Sequence, residues 1–403
     1  MIINFTVGNY RSFKDKKVLS MEATAIKELN ESVIEKEGYR LLPSAVIYGA
    51  NSSGKSNFLK AIGKFTEIIS TSSKLNSTDK LDITPFLLNP ETIQEPSFFE
   101  IELLIDNQTY TYGFTANNQK VYKEWLYLKE GKAKKEKCLF IRTEEGIGTT
   151  DDYNEGKGLE EKVRDNGLFL STVDSFNGKI AKNIISEINS IFVISGIDHE
   201  FWSTITNDMC SNKDPEISYQ KDVQTFLNSM NVGFNRFEIP EDEKLAKEIK
   251  AYTIHNLYNS QGEIIGETRF SMKEHESSGT NKLFDLAVLV IGQLLLGSPL
   301  IVDELDSKLH PLLTQHIIKL FNNPKTNPKG AQLIFATHDT NLLNVKTFRR
   351  DQIWFTEKDH SEATDLYSLA EFREPEGNKI RKDRSFEKDY INGRYGAIPY
   401  IKD

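Results

Sequence analysis

The sequence predicts an α/β fold: a mixed sheet flanked by helices, with an antiparallel sheet at the N-terminal end and a helical insertion in the middle. Three features carry that expectation. Ala45–Tyr48 is an apolar run that leads into a glycine-bracketed loop and then an apolar helix. Pro299–Val302 and Gln332–Ala336 are two more apolar runs, the first ending in Asp303-Glu304 and the second just before His338. Short alternating runs over residues 97–143 read as antiparallel strands, whereas residues 158–235 show helical spacing.

Gly49–Ser56, GANSSGKS, fits the phosphate-loop pattern G-x-x-x-x-G-K-[ST]. Gly49 and Gly54 bracket a tight turn, and its middle residues, Ala50, Asn51, Ser52 and Ser53, can aim backbone N–H groups at phosphate oxygens. Lys55 supplies a cation for the β- and γ-phosphates, and the Ser56 hydroxyl can join Mg²⁺. Asn57 opens the next helix, whose positive end faces the anion. A glycine–serine turn without a ligand is the competing reading. The strand in front and Phe58, Leu59 and Ile62 behind argue against it. ATP and Mg²⁺ are the expected cofactors.

Around this loop the chain reads in order. Residues 2–22 alternate on both sides of Lys14-Asp15, which predicts a β-hairpin. A strand over 44–48, a helix over Asn57–Ser70 and a polar loop over 71–96 follow. Strands are expected at Phe98–Ile105, Thr109–Thr115 and Val121–Leu128, with Lys132, Lys134, Lys135 and Lys137 on a solvated loop between strands. Strand character returns at 250–272 around Ser260-Gln261-Gly262. Glu276–Thr280 precedes a long apolar helix, another helix is expected over Leu312–Phe321, and Ile353–Thr356 reads as the last strand. The divisions are an N-terminal lobe over 1–150, a mainly helical insertion over 151–250 and a C-terminal lobe over 251–403. The insertion has no sustained heptads, so no long coiled-coil arm is expected.

Composition narrows the class. At 403 residues, 38% hydrophobic and 27% charged, the chain suits one large nucleotide-binding domain with insertions, or two domains. A net charge of −9 means that nucleic acid could be held only by a local basic patch or through a partner. Cys138 and Cys210 are too far apart for a metal or disulfide spacing, and no signal peptide is evident, so a cytoplasmic protein is expected. Leu283–Val302 is apolar but is broken by Asp285, Gln293 and Gly297-Ser298-Pro299. A buried helix and a buried strand are expected there, with no membrane contact.

The acids at 303 and 304 complete a second half-site. Asp303 would hold Mg²⁺ through water, and Glu304 would polarise the water that attacks the γ-phosphate. Two acids capping the next helix would look the same in isolation. His338 can hydrogen-bond the γ-phosphate or that water. The order phosphate loop, insertion, ESSGT, Asp-Glu strand, Asp306, His338 resembles that of ATP-binding-cassette (ABC-type) ATPase heads, where ESSGT takes the place of the LSGGQ signature and Asp306 that of the D-loop acid. Ser277 and Gly279 match the signature, and Ser278 replaces its first glycine. In such heads this turn faces the γ-phosphate held by a second subunit, so a homodimer or higher homo-oligomer is implied.

With these residues in place, the chain resembles AAA/ABC-type ATPases of the RloA/AbiLi group, related to the ATPase halves of overcoming-lysogenization-defect, PtuA and AriA defence proteins. The likeness runs through Asn9-Tyr10-Arg11-Ser12-Phe13, YGANSSGKSNFLKA, VDELDSKLHP, ATHDTNLL, DQIWFTEK and GRYGAIPYI. It implies prokaryotic, abortive-infection-like defence against phage or foreign DNA. A separate effector, a TOPRIM-like RloB/AbiLii protein or an HNH nuclease, would carry the toxic chemistry. It also implies that Arg11 reaches phosphate or adenine. The alternative is a Rad50/SMC-like DNA-repair ATPase, or the ATPase part of a nuclease. Direct DNA contact would fall to the tail, where Lys379, Arg381, Lys382, Arg384, Lys388 and Arg394 interleave with Phe386, Tyr390 and Tyr395. Asp383, Glu387 and Asp389 among them favour a solvated or subunit-facing tail instead.

Overall fold

The computed structural model describes residues 1–131, 135–197, 200–211, 219–240, 250–373 and 384–399. Ile2–Gly8 (β1) and Lys17–Ser20 (β2) form the expected hairpin, with Phe5 opposite Leu19. A smaller hairpin, Ile34–Lys36 (β3) and Tyr39–Leu41 (β4), leads to Ser44–Tyr48 (β5) and the helix Lys55–Thr71 (α1). Five strands follow: Ser97–Ile105 (β6), Gln108–Ala116 (β7), Val121–Glu130 (β8), Lys137–Thr143 (β9) and Gly146–Thr149 (β10). They join the first hairpin in a seven-stranded antiparallel sheet, β10-β9-β8-β7-β6-β1-β2. Asp106 and Asn107 both take positive φ, 44° and 63°, the turn whose twist matches a β6–β7 hairpin.

The middle of the chain holds Phe169–Ser175 (α2), Lys179–Asn189 (α3), Phe192–Ser195 (β11), Glu200–Ser211 (α4), Gln220–Ser229 (α5) and Arg236–Glu238 (β12). Tyr252–Tyr258 (β13) and Ile264–Ser271 (β14) form a hairpin, and the single helical turn Met272–His275 (α6) runs up to Ser278–Leu296 (α7). The last part comprises Leu300–Asp303 (β15), Pro311–Asn322 (α8), Leu333–Ala336 (β16), Ile353–Lys358 (β17), Thr364–Ser368 (β18) and Phe386–Ile391 (α9).

The second large sheet has the order β11-β15-β16-β5-β17-β18, parallel throughout except for β18. Its central strands β15, β16 and β5 are buried on both faces, which is why they read as unbroken apolar runs. Ala45, Ile47, Ile301, Ile334 and Ala336 join one core with α1 and the antiparallel sheet. Val46, Tyr48, Leu300, Val302, Leu333 and Phe335 join the other with α5, α7, α8 and α9. Within the first core, α1 sets Phe58 edge-on to Phe5 at 5.8 Å and stacks Phe65 on Phe114 at 5.6 Å. The apolar helix α7 is a core helix: Leu283–Val290 is buried, and Gly297 ends it in the left-handed region at φ 77°.

Several details differ from expectation. The insertion, expected to be mainly helical, also supplies β11, which pairs with β15 and extends the parallel sheet. A four-residue strand has no helical or alternating signature to betray it. Ile353–Thr356 is not the last strand, since β18 pairs antiparallel with β17. Lys137 lies at the start of β9, where it pairs with Glu130 at 2.9 Å, and Lys135 is exposed; Lys132 and Lys134 lie outside the described residues. The tail from 384 is not a solvated arm. Phe386, Tyr390 and Tyr395 are buried in the second core and offer no free faces to stack on bases. Lys379, Arg381, Lys382 and Asp383 lie outside the described residues.

A buried ion pair fixes the approach to β17. Arg349, with no exposed surface, grips Asp351 through Nε and Nη2 at 2.9 and 2.8 Å and donates to Glu28 O at 2.7 Å. Asp351 Oδ2 also accepts from Thr24 N and Oγ1. Arg349→Ala leaves that carboxylate buried without its cation, so chemical denaturation should show a loss of about 3–5 kcal/mol.

Candidate functional site

Parallel register brings the carboxyl ends of β15, β16 and β5 to one edge. Val302 lies level with Phe335, and Phe335 with Val46. Asp303, the segment leading to His338, and Gly49 therefore leave the sheet together. In open α/β sheets this crevice is where ligands bind.

The phosphate loop is shaped by close contacts from behind. Gly49 and Gly54 take φ of 157° and 116°. A Cβ at Gly49 would strike Thr356, and one at Gly54 would strike Thr364. Asn51 and Ser52 are exposed. Lys55 is buried, and its Nζ donates to Gly49 O at 2.7 Å and Ala50 O at 3.0 Å. Burial pulls its ammonium down to about 8, while Asp303, Glu304 and Asp306 act in the opposite sense. No side chain caps the first amides of α1, so they stay available to an anion beside Ser56 and Asn57.

Four residues outside the motif hold the loop. Asn57 Nδ2 donates to Ser12 Oγ at 2.9 Å, and the Ser12 hydroxyl lies 2.8 Å from Thr364 Oγ1, which donates to Ser53 O at 2.9 Å. Each hydroxyl donates once and accepts once, so the chain closes without conflict. Thr356 Oγ1 donates to Tyr48 O at 3.3 Å and accepts from Ser53 Oγ at 2.6 Å. On the other side the Gly49 amide reaches the Tyr390 hydroxyl, which donates to Ala397 O at 3.0 Å. Sequence reasoning gives none of Ser12, Thr356, Thr364 and Tyr390 a place at the loop, although Ser12 follows Arg11, Thr356 lies in DQIWFTEK and Tyr390 is one of the tail aromatics. Arg11 itself is exposed on that turn, with Nε 3.1 Å from the Tyr10 hydroxyl.

The acids stand opposite Lys55. Asp303 Oδ1 and Asp306 Oδ1 are buried without a hydrogen-bond partner. A bare, buried carboxylate oxygen beside a serine-bearing phosphate loop suits Mg²⁺, which takes few protein oxygens and keeps water and phosphate as its other ligands. Glu304 sits at φ 54°, and its carbonyl is one of three that receive the buried Lys282 ammonium. His338 is exposed two residues beyond β16. Desolvation, and then the Lys55 cation, hold its imidazolium below the usual 6.5, so the ring is neutral at pH 7. Asp339 follows it, and the Tyr48 hydroxyl donates to the Asp339 carbonyl at 3.1 Å.

Ser277 and Ser278 are exposed at the start of α7. Ser277 Oγ caps the helix by accepting from Thr280 N at 3.1 Å. Gly279 packs on Lys308 O, with no room for a side chain. The structure thus gathers Gly49–Asn57, Asp303, Glu304, Asp306 and His338 around one edge. It places Ser277–Gly279 beyond the 304–308 turn.

Thr364→Val removes the one hydroxyl that links Ser12 to the loop carbonyl. Titration with a fluorescent nucleotide should show affinity for a triphosphate falling about tenfold, the equivalent of ~1.4 kcal/mol.

No curated protein matches the sequence. Among solved structures, an SMC head bound to the C-winged helix domain of ScpA is similar in fold, at 13% identity and a TM-score of 0.50 over 91% of this chain and 97% of that one. An SMC head domain from Thermotoga maritima is 14% identical, with a TM-score of 0.43 over 91% of this chain and 98% of that one. A Pyrococcus furiosus Smc head domain with an extended coiled coil, bound to the C-terminal domain of ScpA, is 12% identical, with a TM-score of 0.40 over 91% and 96%. Residues 44–344 match the family described as "AAA domain, putative AbiEii toxin, Type IV TA system". That span opens on β5 and closes just after His338, so it takes in the whole set of strand ends described above, and the chain belongs to this AAA-domain family.

Proposed function

We propose that the chain binds and hydrolyses ATP, and that two copies enclose the nucleotides between them. The observation that carries this reading is a phosphate-type helix tip that its own copy leaves unused. Ser277 and Ser278 are exposed, and among the described residues no hydrogen bond or ion pair joins residues 277–279 to the phosphate loop. A second copy related by a two-fold axis would supply the missing triphosphate and receive the same service in return.

In this arrangement Lys55 and the first amides of α1 hold the β- and γ-phosphates. Ser56 and Asp303 would hold Mg²⁺, whose chemistry is to screen phosphate charge. Glu304 orients and polarises the attacking water. The neutral His338 hydrogen-bonds that water or the γ-phosphate, Asp306 lies at the subunit boundary, and Arg11 borders the nucleotide. The lobes 1–150 and 251–403 would each supply part of the head, with 151–250 between them. The family's description, together with the RloA/AbiLi resemblance, supports a role in cytoplasmic prokaryotic defence. There ATP-driven closure would license a separate effector, of RloB/AbiLii TOPRIM-like or HNH nuclease type. The SMC-like fold favours one second reading, an ATPase acting on DNA. Affinity for labelled duplex DNA that falls steeply with salt would support it, and no binding at micromolar protein removes it.

Three variants test the main reading. Lys55→Ala should lose ATP binding. Glu304→Gln should bind ATP–Mg²⁺ yet hydrolyse it at least ~100-fold more slowly. Ser277→Arg should leave each monomer able to bind nucleotide but abolish ATP-dependent dimerisation in light scattering, together with turnover. Normal dimerisation and turnover in Ser277→Arg would refute the shared site. The pH dependence has a defined sign. Burial and the Lys55 cation lower the His338 pKa, so the acid limb of the rate profile lies at lower pH than an ordinary histidine would set, and His338→Gln removes that limb.

A further inference from the structure

Lys282 lies in the second turn of α7, and its side chain has no exposed surface. Its ammonium reaches three backbone carbonyls, Glu304 O at 3.2 Å, Leu305 O at 3.1 Å and Ser307 O at 2.6 Å. An ammonium has three N–H groups, and here all three go to the one turn that follows β15. That turn needs an outside holder. Glu304 and Lys308 take φ of 54° and 60°, a region that side-chain-bearing residues avoid unless their surroundings impose it. Its far flank is pinned too, because Gly196 N donates to Asp303 O at 2.6 Å where no Cβ could fit. At the tip of the same helix Gly279 packs on Lys308 O, beside the exposed Ser277 and Ser278. The helix tip and the Glu304 turn are therefore held against each other, and Lys282 joins them through three hydrogen bonds.

On the two-copy reading above, we infer that Lys282 is a positioning residue that transmits the seating of a partner-held γ-phosphate on the tip of α7 to Glu304 of its own chain. Closing one nucleotide site then sets the geometry of the other. The side chain touches neither nucleotide, so its effect is on rate and on coupling between sites, and not on affinity.

The test uses the full chain with Lys282→Met, which keeps length and loses the donors, and Lys282→Gln, which keeps two N–H groups. For Lys282→Met, nucleotide binding and KM should stay within about threefold of the parent while kcat falls ~30-fold or more. The Hill coefficient for ATP should drop from near the two-site limit of about 2 toward 1. Amide hydrogen exchange over residues 305–309, measured without nucleotide, should speed up by about tenfold or more. Lys282→Gln should fall between the two, and it carries the same readings should Lys282→Met fail to fold. A variant with parental kcat, or one that loses kcat with cooperativity intact, overturns the relay. If the parent chain hydrolyses ATP as a monomer with a Hill coefficient of 1, the two-copy reading fails and the relay with it. Unchanged exchange over 305–309 in Lys282→Met, where the parent dimerises normally, overturns the role of Lys282 alone.

Discussion

The strand β5 is enclosed on every side, and the rest of the site depends on that enclosure. Its backbone is paired to β16 on one edge and β17 on the other, while its side chains alternate between two separate cores. A slip of one residue would exchange the two apolar sets and displace Gly49 from its contact with Thr356. Register is therefore fixed by packing, and the loop that leaves the strand starts from a fixed point. The neighbouring strands are parallel, so the same constraint delivers Asp303 and His338 to the same edge.

Charge is distributed unevenly around that edge. The wall behind the loop is neutral, built from the hydroxyls of Ser12, Ser53, Thr356 and Thr364. The facing side holds Asp303, Glu304 and Asp306, two of them with a buried oxygen that no donor satisfies. Lys55 lies between, its ammonium on the Gly49 and Ala50 carbonyls of the loop. A neutral wall matters here. On the proposed reading, a second cation behind the loop would neutralise the triphosphate from the side away from the acids that would share a divalent ion with it. Bare carboxylates in a low-dielectric edge are costly unless a cation joins them, so the arrangement favours phosphate and metal arriving together.

What the sequence made legible follows from how local the chemistry is. The phosphate loop, the Asp-Glu strand end and the helix-capping ESSGT each declare themselves within a few residues, because backbone shape and charge must coincide there. The doubly buried strands were legible for a related reason: an unbroken apolar run has few other uses. Thr356 and Thr364 gave no signal, since a threonine near the end of a strand is ordinary until pairing with β5 brings it behind Ser53. Lys282 carries no signal in the sequence, and only the fold shows it buried beneath the 304–307 turn. β11 was hidden by its four-residue length and by the helices on either side of it. The tail was misread because its alternating charges suggest solvent, while its aromatics go to Tyr48 and Phe355.

The parts that support the loop come from outside the span that defines the family. Ser12 precedes residue 44, and Thr356, Thr364 and Tyr390 follow residue 344. The matched span contains the phosphate loop, the Asp303-Glu304 strand end and His338, whereas the hydroxyl wall and the aromatic brace belong to the two ends of the chain. Tyr390 stacks on Phe355 at 5.4 Å and meets the first amide of the loop, while Glu387 of the same helix lies 3.4 Å from the Thr340 hydroxyl, two residues past His338. One short helix thus touches both the loop that would grip the phosphates and the segment that would sense the last of them. Chemistry of this kind can be shared among proteins with different ends. How firmly the loop is held, and how a change at His338 is felt elsewhere, is decided by those ends, and here they converge on Gly49.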